Sequence, residues 1–167
     1  MTNKIIGIQG DKLDKINISS DTSIFLAHEA QKLGYKIFYY TPSNLSIIKN
    51  KTYANGVFVK LNYERKKFYK IYKKQKIDVE NLKFILIRQD PPFNSEYLIT
   101  TLILDNLKKT RVINNPVAIR NVSEKLYSKK FTKYMPDTIF SNNIDEIRKF
   151  FNKNKSMIMK PINGYGG

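Results

Sequence analysis

The chain has no cysteine and only one histidine among its 167 residues. Without cysteine it can form neither disulfides nor thiolate metal sites, a composition that suits a reducing compartment. It also lacks any apolar run near the roughly 20 residues that span a bilayer. The N-terminus lacks the basic, apolar and cleavage regions of a signal peptide. The sequence therefore predicts a cytoplasmic protein that does not enter membranes.

Acidic residues are scarce, since 14 carboxylates face 30 basic side chains and give a formal net charge of +16. Such a charge can indicate nucleic-acid binding, because basic proteins gain affinity from counterion release. However, only five of the 30 basic residues are arginines, the side chains best suited to reading bases. Lysine, isoleucine and asparagine share A/T-rich codons and are all abundant here. We therefore predict no specific nucleic-acid partner and interpret the charge as favouring solubility.

Internal repeats and low-complexity linkers are absent, and strand and helix patterns alternate from the start. Residues 4–9 form an apolar run typical of a buried strand, and 36–40 form another. Between them, 22–33 predicts a helix with a buried stripe of Leu26, Ala30 and Leu33, capped by Ser20 or Asp21. This βαβ opening predicts an α/β fold with a mainly parallel, doubly wound, Rossmann-like sheet.

The middle of the chain predicts an antiparallel insertion and then a return to the α/β pattern. Residues 43–81 contain short β-prone segments separated by turn residues, which indicates a hairpin excursion at the sheet edge. The pattern resumes with strands at 84–88 and 111–114 and a helix at 95–107, whose buried stripe we expect to be Ile99, Ile103 and Leu107.

A second unit is predicted to begin near residue 123. Its expected elements are a helix at 123–130, a strand at 137–140, a helix at 143–152 and a last strand at 157–160. The sequence thus predicts an N-terminal substrate domain at 1–122. Residues 123–167 would begin a second domain, truncated where the chain stops.

Two loops after predicted strands carry candidate substrate-binding residues, because open α/β sheets bind ligands at strand ends. The first loop contains Asp21 and Ser23, which could either contact substrate or only cap the following helix. The second is the stiff turn 88–93, with Arg88 and Asp90 beside two prolines. These two charges could bind a polar small molecule or simply pair with each other.

The C-terminal stretch carries candidate phosphate-binding residues. Lys160 precedes a loop containing Gly164, Gly166 and Gly167, and such loops let backbone N–H groups approach a phosphate. Lys125 lies at the predicted start of a helix, where a cation is disfavoured unless an anion joins it. Each of these features alone is equally typical of a turn or a surface lysine.

Two other features carry no function in this interpretation. His28, the only histidine, has no second metal ligand nearby and is expected at the surface. The run 65–74 alternates basic and aromatic residues, which could stack on nucleobases. An edge strand protected from aggregation by its lysines explains that run better.

Four stretches together resemble the bacterial-type glutathione synthetases, which are ATP-grasp ligases. The stretches are DKINISSDTSIFLAHEAQKL at 14–33, IRQDPPF at 87–93, VINNPVAIRNVSEKL at 112–126 and IMKPINGYGG at 158–167. The proline motif separates this family from other ATP-grasp ligases, and the order of the stretches is kept along the whole chain.

The resemblance implies an α/β pre-ATP-grasp domain followed by the start of an ATP-grasp domain, and it implies a reaction. ATP would phosphorylate the cysteinyl carboxylate of γ-glutamylcysteine, and glycine would attack the acyl phosphate to give glutathione. The family pattern assigns nucleotide contacts to Lys125 and Lys160. It places the loop glycines 164, 166 and 167 over the phosphates. Arg88 and Asp90 are weaker substrate-binding candidates, and Asp21 and Ser23 are weaker still.

The family's magnesium ligands are expected beyond Gly167, so no catalytic set and no metal site is expected within the chain itself. On that basis the 167-residue polypeptide should be inactive alone, although a separate chain could complete it. The resemblance also implies a homo-oligomer for the full-length protein. The alternative function is a catalytically inactive basic module that binds RNA or another anion.

Overall fold

The structure is a computed structural model, and it describes residues 4–63 and 67–164. Seven strands and five α-helices occur in these ranges. The strands are β1 (Ile5–Gln9), β2 (Lys36–Tyr40), β3 (Leu45–Ile48), β4 (Lys51–Leu61), β5 (Tyr69–Asp78), β6 (Phe84–Ile87) and β7 (Arg111–Ile113). The helices are α1 (Thr22–Lys32), α2 (Ser95–Asp105), α3 (Pro116–Asn121), α4 (Glu124–Tyr127) and α5 (Ile144–Asn154). No helix in the described ranges is long and apolar enough to cross a membrane.

The strands form one mixed sheet with the first strand at its centre. β1 pairs in parallel with β2 on one side and β6 on the other, and β7 extends the parallel part beyond β6. β4 then pairs antiparallel with β2, β3 and β5. The predicted α/β class is confirmed, and the antiparallel excursion lies at the sheet edge as expected.

The two faces of the sheet bury two apolar clusters. Ile8, Ile37 and Tyr39 belong to the cluster that packs against α1. Phe38 and Ile85 belong to the other cluster, which includes residues of α2 and α3. Because successive strand residues point to opposite faces, neighbours such as Ile37 and Phe38 separate into the two clusters. The helices therefore cover both faces of the sheet.

The buried stripe of α1 differs from the predicted one. Ile24 and Ala27 are buried, whereas Leu26 and Leu33 are 49% and 71% exposed. The helix has four consecutive apolar residues, 24–27, so its sequence offers two competing apolar faces. The cap is Asp21, whose carboxylate accepts a hydrogen bond from the Ile24 N–H at 2.8 Å.

The buried stripe of α2 is also shifted from the prediction. Thr100, Thr101 and Leu104 face the core, while Ile99 is 54% exposed. The threonine hydroxyls can be buried because each donates to a backbone carbonyl three residues earlier, at 2.8 and 2.7 Å. A pattern that counts only apolar side chains misses this face.

The two strands predicted after residue 123 are wrong. Residues 137–140 and 157–160 belong to no ladder, and Ile158 is 84% exposed. A strand requires a neighbour for its backbone groups, and the described ranges provide none there. The predicted helix at 123–130 is α4 followed by a 3-10 segment, Ser128–Tyr134. The predicted helix at 143–152 is α5, with the Asn143 side chain accepting from Asp145 N–H.

The Glu80 carboxylate joins two loops at the end of the sheet where the parallel strands begin. Glu80 accepts hydrogen bonds from the backbone N–H groups of Lys108, Lys109 and Thr110, at 2.7, 2.9 and 2.9 Å. The buried Thr110 hydroxyl lies 2.8 Å from the Val79 carbonyl oxygen, its acceptor. These bonds fix the turn before β6 against the turn before β7.

Candidate functional site

A cleft of about 660 Å³ lies at the carboxyl ends of the parallel strands. Its walls come from the loops that follow β1, β2 and β6 and from the start of α2. Parallel strands bring their carboxyl ends to one edge of the sheet, and helices leave that edge toward both faces. The predicted substrate residues Asp21, Arg88 and Asp90 all line this cleft.

The side chain of Arg88 is held by two hydroxyl groups. Its Nε donates to Ser23 Oγ and its Nη2 donates to Thr22 Oγ1, both at 2.8 Å. Ser23 is only 4% exposed and is not among the cleft-lining residues. Ser23 therefore orients the guanidinium from behind, whereas it was predicted as a possible substrate contact. The sequence also allowed a simple pairing of Arg88 with Asp90. In the structure, Arg88 donates its hydrogen bonds to the two hydroxyl groups instead.

Four acidic residues line the same cleft: Asp11, Asp21, Asp90 and Glu96. Asp11 Oδ2 accepts a hydrogen bond from the backbone N–H of Asp90 at 2.9 Å, and Asp21 caps α1 nearby. Burial raises the pKa of the Asp90 carboxyl above its usual value; Asp11 and Asp21 add to this effect, and Arg88 opposes it. The cleft thus carries both signs of charge, which suits a ligand with both an ammonium and a carboxylate.

Three residues of this site carry no functional prediction from the sequence. Asp11 and Thr22 contact the predicted residues as described above, and Tyr39 OH donates to the Asp11 carbonyl at 2.7 Å. Burial, followed by the nearby carboxylates, raises the pKa of the Tyr39 hydroxyl, so this group stays a donor. Applying the strand-end rule to every polar residue after β1 would have found Asp11, but not Tyr39, which lies within β2. No sequence signal distinguished Thr22.

The C-terminal loop connects this cleft to Lys125. Phe93, in the proline motif, donates its backbone N–H to the Asn163 carbonyl at 3.3 Å. One residue later, the Gly164 carbonyl accepts a hydrogen bond from Lys125 Nζ. The predicted nucleotide residues Lys125 and Gly164 are therefore in direct contact, and their loop lies against the cleft.

The remaining nucleotide candidates are Lys160, Gly166 and Gly167. Lys160 is exposed and lies four residues before Gly164 in the sequence. Gly166 and Gly167 lie outside the described residues. A Cβ on Gly164 would meet Pro161 Cγ at 2.6 Å, so the turn between these two residues requires glycine.

Within residues 4–63 and 67–164, no group of three or more His, Asp or Glu side chains could hold a metal ion. These residues therefore do not fit a magnesium ion, and we derive no step through one. His28 is partly buried on α1, and its Nδ1 lies 3.8 Å from Glu29 Oε1. This contact gives it no metal-binding role.

Two family models match consecutive parts of the chain. The prokaryotic glutathione synthetase N-terminal domain matches residues 5–120, which contain the sheet and the cleft. The chain belongs to the prokaryotic glutathione synthetase family. The ATP-grasp domain of the same family matches residues 124–167, which include Lys125 and the C-terminal loop. The resemblance drawn from the four sequence stretches is confirmed.

Curated relatives named glutathione synthetase align along nearly the whole chain. The protein of Mesorhizobium japonicum is 36% identical over 163 residues, covering 97% of this chain and 52% of the relative. The protein of Buchnera aphidicola subsp. Acyrthosiphon pisum is 37% identical over 164 residues, covering 97% and 51%. The chain thus spans about half the length of the curated relatives it matches. These matches give no support to the alternative of an RNA-binding module.

Proposed function

We propose that this chain provides the dipeptide-binding cleft and part of the nucleotide site of an ATP-dependent glutathione synthetase. The reaction joins γ-glutamylcysteine to glycine. Family membership and the names of the relatives support this activity. The observation that carries the proposal is the C-terminal loop, which bonds to Phe93 at the cleft and to Lys125. A carboxylate held in the cleft would therefore lie near the groups assigned to the nucleotide.

The cleft is suited to γ-glutamylcysteine because it offers both signs of charge. The dipeptide has two carboxylates and one ammonium. Arg88, already oriented by hydroxyl groups, binds a carboxylate, since its planar guanidinium presents a rigid set of donors. Asp11, Asp21 and Asp90 accept hydrogen bonds from the ammonium. These assignments extend the predicted substrate role of Asp21, Arg88 and Asp90 to Asp11 and reduce Ser23 to a positioning residue.

Lys125, Lys160 and the loop glycines Gly164, Gly166 and Gly167 form the proposed contacts to nucleotide phosphates. When bound, ATP supplies the phosphoryl group that activates the cysteinyl carboxylate. The donor chemistry fits, because an ammonium and glycine backbone N–H groups are phosphate ligands. Lys125 donates one hydrogen bond to the Gly164 carbonyl, and its ammonium has further N–H groups that can donate to a phosphate.

The division into a substrate domain at 1–122 and an ATP-grasp part at 123–167 belongs to the same proposal. The two family matches, 5–120 and 124–167, support it. Family membership is also our reason to propose magnesium as a cofactor held by other residues of the family fold. On the same ground we propose a cytoplasmic homo-oligomer.

Calorimetric titration of the chain with γ-glutamylcysteine tests the cleft. We expect Arg88→Gln to weaken binding about tenfold or more, since a charge-assisted hydrogen bond is lost. The matched control is Arg148→Gln, at an exposed arginine on α5 paired only with Asp145. Equal affinities for the two variants would refute the assignment of Arg88.

A second titration, with ATP, tests the lysine at the loop. Lys125→Gln should weaken nucleotide binding about tenfold, whereas Lys129→Gln, an exposed lysine four residues later, should not. If both substitutions have the same small effect, Lys125 is a structural contact of the loop and holds no phosphate.

A further inference from the structure

A second cavity, of about 630 Å³, lies next to the substrate cleft. Lys12, Tyr39 and Thr41 line both the cleft and this cavity. The second cavity extends from these residues along β4 and β5, on the antiparallel side of the sheet. Nothing in the proposed reaction uses it.

Three lysines from two separate parts of the chain meet in this cavity. Lys12 comes from the loop after β1, and Lys74 and Lys76 come from β5. Lys74 and Lys76 are two residues apart on one strand, so they project from the same face of the sheet. Three amides line the cavity with them: Asn44, Asn55 and Gln75. We call these six residues the basic annex.

The basic annex contains no carboxylate. The substrate cleft is lined by four acidic residues, and the cavity on the other side of β5 includes Asp78. Lys12 also lines that cleft and Lys76 also lines that cavity, whereas Lys74 lines neither of them. Protection of an edge strand explains lysines along β5, but it does not explain Lys12, which comes from another element. Lys76 is also held in place, because its Nζ lies 5.1 Å from the centroid of the Tyr53 ring.

We propose that the basic annex binds a small anion that carries a phosphate group. Three lysines around a cavity whose lining includes no carboxylate favour a ligand of two or more negative charges. Lysine acts as a compact point charge, which suits a phosphate, and the amide groups add hydrogen-bond donors. The cavity volume falls in the range of small-molecule sites, so the phosphate can be free or part of a larger molecule. Such a ligand lies beside the substrate cleft and shares a wall with it.

Titration of the chain at constant ionic strength tests the proposal, with inorganic phosphate, pyrophosphate and adenosine monophosphate as probes. The double variant Lys12→Gln/Lys74→Gln should bind the preferred probe at least about tenfold more weakly than the parent chain. The matched control is Lys36→Gln/Lys73→Gln, which removes the same charge. Both of its lysines line the cavity on the other side of β5, and Lys73 is adjacent to Lys74 in sequence. Circular dichroism checks that all variants fold alike.

Each outcome decides the question. If only the Lys12→Gln/Lys74→Gln variant binds the probe more weakly, the site is supported. The probe that binds most tightly then distinguishes free phosphate from a nucleotide. Equal weakening by both double variants shows general charge attraction and overturns the proposal, as does the absence of saturable binding by any probe. Arg88→Gln should leave probe binding unchanged, so failure of the substrate proposal remains distinguishable.

Discussion

Removal of the Glu80 carboxylate should destabilise the junction between the turns before β6 and β7. In the variant Glu80→Ala, three backbone N–H groups lose their acceptor. Two of these N–H groups belong to the exposed Lys108 and Lys109 and can donate to water instead. Each of these two lost hydrogen bonds should therefore lower the unfolding free energy by only about 0.5–1 kcal/mol. Thr110 is 4% exposed, so its N–H costs about 1–3 kcal/mol when left unpaired. The expected loss is about 2–5 kcal/mol of unfolding free energy.

The effect of Glu80 should also depend on pH with a defined sign. Partial burial raises the pKa of the Glu80 carboxyl, but the three backbone hydrogen bonds and the charge of Lys109 outweigh it and leave the pKa lowered. A lowered pKa means that the stabilisation is present above the unfolded-state pKa, about 4.3, and is lost as pH falls through the folded-state pKa. The difference between parent and variant should therefore shrink in acid.

Urea unfolding at pH 7 and at a series of acidic pH values measures both effects. Glu124→Ala is the matched control, because Glu124 is exposed in the first turn of α4, and we expect a change within about 0.5 kcal/mol. The reasoning is refuted if Glu80→Ala and Glu124→Ala shift the urea midpoint equally. A Glu80→Ala effect of constant size at all pH values would refute the electrostatic part.

Three further substitutions have expected outcomes. Gly56→Ala should cost about 1–3 kcal/mol in urea unfolding, because the new Cβ would lie 2.6 Å from the Tyr39 carbonyl oxygen. Asp90→Asn should stabilise the chain at pH 7, with the gain vanishing in acid, because a raised pKa makes the charged carboxylate unfavourable in the folded state. Ser23→Ala should weaken γ-glutamylcysteine binding by about tenfold with little change in ATP binding, because Arg88 loses an acceptor.

Controls for these substitutions come from exposed positions. Asp137→Asn removes an exposed carboxylate that pairs with Lys153 at 3.2 Å, and it should change the unfolding free energy at pH 7 by at most about 1 kcal/mol. Ser156→Ala, at an exposed serine after α5, should not alter dipeptide binding. A pH profile for Asp90→Asn that matches that of Asp137→Asn would contradict the explanation given for Asp90. Unchanged dipeptide affinity in Ser23→Ala would remove its positioning role.

The parallel part of the sheet could be predicted because its strands are short apolar runs bounded by clear turn residues. The helix faces could not, for two different reasons. In α1 the four consecutive apolar residues 24–27 lie all around the helix, so the sequence does not define one apolar face. Packing against the sheet determines that Ile24 and Ala27 are the buried ones. In α2 the buried face includes Thr100 and Thr101, whose hydroxyls are satisfied by the helix itself. The periodicity of apolar residues therefore does not predict which face of either helix is buried.

The loops and several residues that line the cleft could be predicted from the sequence, but their hydrogen-bond partners could not. Strand-end position singled out Arg88 and Asp90, because strand order alone brings those loops together. The two acceptors of Arg88 are neighbours on a helix that starts more than 60 residues earlier, so their role depends on how α1 meets β6. The same holds for Asp11, whose carboxylate accepts from a backbone group 79 residues away in sequence.

The central position of β1 has a consequence for synthesis of the chain. Its first partner, β2, leaves the ribosome soon after it, but its second partner, β6, follows only after the whole β3–β5 meander. Until residues 84–87 emerge, one side of β1 presents unpaired backbone groups, and such an edge can pair with a neighbouring chain. The antiparallel meander can fold in this interval from local pairings alone, because β4 and β5 are adjacent in sequence. The order of emergence therefore makes the addition of β6 the step that covers the open side of β1.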